Sequence, residues 1–249
     1  LDQAAQTDDN EPRIALLQGC AEPVLRPEFR AAAIRLLDRA GYDVVLTPGE
    51  QCCGALVHHM GREKASLEAA RRNVDAWTRE IETGGLAAIV VTASGCGTTI
   101  KDYGFMLRDD PVYAEKAARV SALARDISEV LIDAELPMGD GHGLTVAYHA
   151  ACSLQHGQKV TEAPKRLLAG AGYAVRTPIE AHLCCGSAGT YNILQPEIAG
   201  RMVSGVVHHQ QMSRAARFGG QRGEIRIGPD VGADGDVALG RELGFPLHR

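Results

Sequence analysis

The stretch RLLDRAGYDVVLTPGEQCCG, residues 35–54, has a second version at residues 166–186, RLLAGAGYAVRTPIEAHLCCG. Arg35 to Val44 answers Arg166 to Val175, with one residue of offset, and each stretch closes on a double cysteine and a glycine, Cys52-Cys53-Gly54 and Cys184-Cys185-Gly186. Upstream of each pair, across 31 intervening residues in both cases, stands a lone cysteine, Cys20 or Cys152. Self-similarity at a fixed period marks two copies of one structural unit. The chain therefore reads as an internal duplication built around thiols.

Six of the seven cysteines belong to this pattern, and the seventh, Cys96, sits in a Ser-Gly-Cys-Gly turn. An odd count argues against a closed disulfide framework. With no signal peptide and no apolar run of membrane length in view, a reducing compartment is expected. The remaining composition is that of an ordinary α/β protein: 249 residues, 45% hydrophobic, 23% charged, net charge −5, enough for one large or two small domains. Lys and Arg are dispersed among acidic residues, which excludes a basic stripe for nucleic acid or an anionic membrane. Walker loops, nucleotide fingerprints and catalytic triads are absent, so nothing supports independent turnover.

Working outward, Ile14 to Leu17, Val44 to Leu46, Ala87 to Val91, Val146 to Tyr148 and Ile225 to Ile227 read as short buried strands. Helices are expected over Phe29 to Ala40, Glu63 to Ile81, Val112 to Glu135, Glu162 to Ala169 and Pro196 to Arg217. A further strand is expected over Tyr173 to Val175. This alternation predicts an α/β fold of two pseudosymmetric lobes, each a small parallel sheet flanked by helices. The polar segment before Arg13 reads as a linker, residues 1–12. The Gly-rich break from Pro137 to Gly143 divides a first repeat, 13–140, from a second, 141–249.

Cys20, Cys52, Cys53 and Cys96 each fall just past the carboxyl end of an expected strand, the edge at which open parallel sheets hold ligands. Four converging thiolates would suit zinc or an iron-sulfur cluster, both of which take soft sulfur. The paired CxxC knuckles of structural zinc sites are missing, which favours a cluster. The alternative, buried core cysteines, explains single residues but not the repeated gap.

Taken together, LLQGCAEPVL, QCCGA, VTASGCGTTIKDYGFML, CSLQHGQKV and HLCCGSAGTYNILQPE resemble the cysteine-rich CCG domains of heterodisulfide reductase, L-lactate utilisation proteins and the iron-sulfur subunit of glycolate oxidase. The resemblance is nearest to the carboxyl-terminal part of the last. It implies a redox subunit, not catalytic on its own, that passes electrons from flavin subunits oxidising glycolate to glyoxylate. It also implies a cytoplasmic location, or a peripheral one at the inner face of the membrane. Cysteines carried over are Cys20, Cys52, Cys53 and Cys96 in the first repeat and Cys152, Cys184 and Cys185 in the second. They imply one 4Fe-4S cluster in the first repeat, with FAD confined to a partner subunit. A heterodisulfide-reductase or L-lactate type of protein, or a cluster-free duplicated scaffold, are the alternatives.

Three departures qualify the resemblance. Cys96 is followed by Gly97, Thr98 and Thr99 where the CCG subunit of heterodisulfide reductase carries a closing CxxC. The ferredoxin-like domain with its CxxCxxCxxxCP runs does not occur in this sequence, so a ferredoxin-like domain or subunit is expected as a partner. In the closing segment IGPDVGADGDVALG, Ala233 takes a cysteine slot, leaving the second site one thiolate short and a second cluster empty or labile. His182 is a candidate ligand or hydrogen-bond donor there. His149, His156, the pairs His58-His59 and His208-His209, and Tyr191 read as structural, and Asp230 to Asp236 as a turn. Lys101 either places a cation beside the cluster or starts a solvated helix.

Overall fold

The computed structural model describes residues 11–137, 139–178, 181–186 and 190–202. Residues 1–10 of the expected linker, the strand at Ile225 to Ile227, the helix beyond residue 202, His208-His209, Asp230 to Asp236 and Ala233 lie outside them.

Four strands, β1 (Arg13–Leu16), β2 (Asp43–Val45), β3 (Ala88–Val91) and β4 (Ala124–Asp126), form one parallel sheet in the order β2-β1-β3-β4. β3 reads Ala-Ile-Val-Val and is buried throughout, the continuous apolar run expected of an interior parallel strand. The chain steps from β1 to β2 on one side and then returns to place β3 on the other side of β1. The strand order therefore switches at β1 and β3, and the carboxyl ends of such strands open a crevice between diverging connections.

Helix α2 (Glu28–Arg39) crosses from β1 to β2 and α4 (Glu63–Gly84) from β2 to β3. Along α4, Ala69, Ala70, Asn73, Val74, Trp77 and Ile81 recur at helical spacing and are all buried. Gly85, at φ 72, ends the helix with its N–H returned to Ile81 O. Trp77, Val74, Ile89, Val91, Ile100 and Tyr103 form the centre of the core.

The helical region expected over about Val112 to Glu135 is corrected, since a strand interrupts it. It is α7 (Ala114–Leu123), then β4, then α8 (Ile127–Leu131). Ala124 to Asp126 pairs with Ile89 to Val91 at the sheet edge, and pairing outweighs the helix propensity of the segment. Asp126 then restarts the helix through a capping box: its carboxylate accepts the Ser128 N–H at 2.9 Å while Glu129 accepts the Asp126 N–H at 2.8 Å.

In the later part of the chain, β5 (Thr145–Ala147) and β6 (Ala174–Arg176) pair in parallel, joined in sequence through α9 (Ala163–Gly170). Val146 faces Val175 as Ile14 faces Val44, so the sequence repeat is a repeat of strand pairing. The chain divides into two compact units. One comprises the described residues up to Leu136 together with Ser153–Pro164; the other comprises Pro137–Cys152 and the described residues from Lys165 onward. Ser153–Pro164 joins its unit through α5 (Ser94–Lys101), where Thr98 Oγ1 donates to Ser153 O at 2.9 Å and Gln158 Nε2 to Ser94 O at 2.9 Å. Among the described residues no helix is long and apolar enough to cross a membrane.

Candidate metal centre

The site is built from the ends of three adjacent strands. Cys20 follows β1 through Gly19 and precedes α1 (Glu22–Leu25); Cys52 and Cys53 follow β2; Cys96 follows β3. Because these strands lie side by side in the order β2-β1-β3 and run the same way, their carboxyl-terminal loops share one rim.

There the sulfurs meet. Cys20 and Cys52 lie 3.4 Å apart, Sγ to Sγ. Cys53 lies within interaction range of the Cys96 and Cys52 thiols, and Cys96 feels the charge of Cys20 and Cys52 as well. The neighbouring Cys96 thiol first, then the backbone amides of Ala55 and Cys53, bring the Cys53 thiol down to about 7 against the cost of burial. The adjacent Cys53 thiol first, then burial and the charges of Cys53, Cys20 and Cys52, hold Cys96 far above the ordinary thiol range. Burial first, then the Cys52 bond, pushes Cys20 up to about 11. Several thiolates cannot ionise together in so small a space without a cation to balance them.

Cys96 is not in a turn, as its glycine neighbours suggest, but in the first turn of α5. The double-cysteine turn ends on Gly54, at φ 82, which enters α3 (Ala55–His59). A Cβ at Gly54 would stand 3.0 Å from Ala69 Cβ and 3.2 Å from Ser66 O of α4. Only glycine meets both the left-handed backbone and this close approach.

Residues that sequence reading did not single out hold the turn from behind. Asn73, fully buried on α4, accepts the Gln51 N–H at 2.9 Å. Its two amide protons are shared among Gln51 O at 3.2 Å, Cys52 O at 3.3 Å and the Tyr103 hydroxyl at 3.3 Å. Tyr103, equally buried on α6 (Tyr103–Met106), donates its hydroxyl to Cys53 O at 2.7 Å. Burial pushes the Tyr103 hydroxyl far above its ordinary value, so it remains a donor. Glu50 braces the neighbouring loop by accepting the Gln18 N–H at 2.8 Å. Burial raises its carboxyl to about 7, opposed by the N–H groups of Gln18 and Gly19. The Trp77 indole interacts with this carboxylate but falls short of hydrogen-bond geometry, leaving Glu50 Oε2 and Trp77 Nε1 without partners. A polar Asn in the buried stripe of an amphipathic helix was the signal available in the sequence.

The second unit brings Cys152, Cys184 and Cys185 within interaction range: burial and then Cys184 and Cys185 raise the Cys152 thiol. Gly186 has φ 81, as Gly54 has φ 82, and its missing Cβ would lie 2.5 Å from Ala199 O. Its N–H donates to Cys184 Sγ at 3.4 Å. His149 Nε2 meets Leu183 O at 3.0 Å. His182 is exposed. Lys101 is paired with Glu129 at 2.5 Å, so that carboxylate balances its charge. His58 and His59 are partly or fully exposed on α3, and Tyr191 is exposed at the start of α10 (Tyr191–Leu194). Among the described residues no three His, Cys, Asp or Glu side chains surround one point as a single bound ion requires.

Comparison with known proteins adds the following. The family described as "CCG: Cysteine-rich domain" matches residues 14–101 and 146–214. The chain is 43% identical over 188 residues to the glycolate oxidase iron-sulfur subunit of Escherichia coli, covering 75% of this chain and 46% of that protein. It is 32% identical over 191 residues to the probable glycolate oxidase iron-sulfur subunit of Bacillus subtilis, covering 75% and 42%. The lactate utilization protein A of Bacillus licheniformis is 29% identical over 224 residues, covering 88% of each chain. The chain thus spans under half the length of the two glycolate oxidase relatives.

Proposed function

The chain belongs to the cysteine-rich CCG domain family, and from that premise we propose that it is an iron-sulfur electron-transfer subunit of a 2-hydroxy-acid-oxidising complex, with glycolate as the substrate of its flavoprotein partner. The observation that carries this reading is the mutual interaction of Cys20, Cys52, Cys53 and Cys96 at one sheet rim. Four soft donors fit an iron-sulfur centre. A multi-iron core takes each thiolate at a separate corner, which suits two adjacent cysteines on one tight turn.

In this reading the four first-repeat cysteines hold a 4Fe-4S cluster, and Cys152, Cys184 and Cys185 form a second, three-thiolate site that is empty or labile. A bound cluster supplies a one-electron store, and the flavin of the partner performs the hydride chemistry. The protein's own contribution is to neutralise and orient. The backbone amides of Cys53 and Ala55 favour the ionised Cys53 sulfur, and the core around it, where Cys53 is 2% exposed, excludes water on that side. A ferredoxin-like domain or subunit completes the relay, in the cytoplasm or at the inner face of the membrane. Residues 13–140 and 141–249 serve as the two repeats.

The test is anaerobic purification followed by iron and sulfide analysis and visible spectroscopy. A brown protein with four irons per chain, bleached by dithionite and by glycolate plus the flavoprotein, is the expected result. A colourless protein after reconstitution, or two full clusters per chain, defeats it. A second reading, an L-lactate-oxidising complex, is favoured by the coverage of 88% of both chains in the lactate utilization protein A match. Substituting lactate and its flavoprotein in the same bleaching assay separates the two.

A further inference from the structure

We infer that Asn73 and Tyr103 act as a carbonyl clamp on the Cys52-Cys53 turn and so raise the reduction potential of the metal group held there. The inference rests on the iron-sulfur reading above. Three consecutive carbonyls, those of Gln51, Cys52 and Cys53, are drawn to these two buried side chains at 2.7 to 3.3 Å, and Asn73 Oδ1 fixes the turn's entry through the Gln51 N–H. Within a planar peptide the C=O and the following N–H point in opposite directions. Turning the Cys52 carbonyl inward therefore turns the Cys53 N–H outward, and that amide is one of two whose dipoles favour the ionised Cys53 thiol.

The electrostatic consequence has one sign. N–H dipoles directed at the sulfurs, with carbonyl oxygens directed away, stabilise added negative charge, and hydrogen bonding to the sulfurs is an established control on cluster potential. The Tyr103 hydroxyl contributes twice: its proton lies toward the cysteine turn, and it keeps Cys53 O from swinging back toward the thiolates. Both side chains are fully enclosed, so water cannot replace the donors they supply. Asn73 and Tyr103 are positioning residues, since their hydrogen bonds go to the turn's backbone and to each other.

The test is a redox titration followed by electron paramagnetic resonance on the anaerobically prepared holoprotein. Tyr103→Phe keeps the ring against Trp77, at a centroid distance of 6.5 Å, and removes only the hydroxyl; its midpoint is expected to be more negative than that of the wild type. Its hold on iron against a chelator should fall by about 10- to 100-fold, the usual consequence of losing a group that orients a ligand. Introducing 3-fluorotyrosine at position 103 preserves the fold and strengthens the donor, so it should move the midpoint the other way. Tyr113→Phe, which loses a hydroxyl bond to Asp75 of 2.8 Å, should leave the midpoint unchanged. If both position-103 variants hold iron and sulfide and titrate with the wild type, the clamp is overturned and the iron-sulfur reading stands. If the wild type holds no iron and sulfide, both fall.

Discussion

Cys53 is the one buried sulfur of the seven cysteines, at 2% exposure, and the neighbouring Cys96 thiol and backbone amides hold it in the most acidic range of the first-repeat thiols whose shifts are resolved. Cys53→Ser substitutes a harder, less acidic donor at that centre, so it should lose most of the iron and sulfide that the wild type retains; Cys152→Ser should leave the first-repeat content intact. Iron and sulfide analysis of the two variants side by side decides this, and equal losses would contradict the assignment. Gly54 carries a different constraint. Gly54→Ala meets a left-handed backbone and two contacts with α4, and should cost about 1–3 kcal/mol plus the displacement of α4. Gly61→Ala meets φ 71 alone, with open space around it, and should cost less in urea denaturation. Both cysteine pairs and both glycines that follow them were legible because they recur. Asn73 and Tyr103 were not: the polar Asn in the buried stripe of α4 signals a side chain that needs partners, but nothing along the chain says that those partners lie in a turn 22 positions away, or that the turn also draws on a tyrosine 50 positions away.

Elements whose burial is decided by periodicity were foreseeable: the stripe of α4 ending in Trp77 and Ile81, and the apolar run of β3, are where the spacing puts them. β4 was not. Ala124-Arg125-Asp126 contains no β-branched residue and becomes a strand only because β3 offers it an edge. The readable sign was Asp126 followed three residues later by Glu129, a helix start placed inside what looks like one continuous helix. Asp126 is itself buried and accepts both the backbone N–H and the hydroxyl of Ser128, at 2.9 and 2.5 Å. Asp126→Ala should therefore destabilise the protein by about 1–2 kcal/mol, seen as a lower urea midpoint with unchanged slope. An unchanged midpoint would mean that strand pairing alone holds α8 in place.

On the scale of the whole molecule, the duplication is visible in structure as the shared register of β1 with β2 and of β5 with β6. What the sequence conceals is the route of the chain. The Gly-rich break near Gly141 suggests a clean division, yet Ser153–Pro164 belongs with the unit formed by the residues up to Leu136. Leu154 and Val160 are buried, at 8% and 7% exposure. A fragment of residues 13–164 should consequently be more stable than one of 13–140. The two side chains account for on the order of 4 kcal/mol, measurable as a difference in denaturant midpoint; equal midpoints would show the segment to be dispensable. The chain leaves its first unit unfinished, begins the next, and returns before continuing. During synthesis the earlier unit must wait for its last piece while a strand of the later one emerges. At cellular elongation rates that delay is roughly 1–6 seconds, an interval in which α5, the helix that carries Cys96, lacks the segment that packs on it.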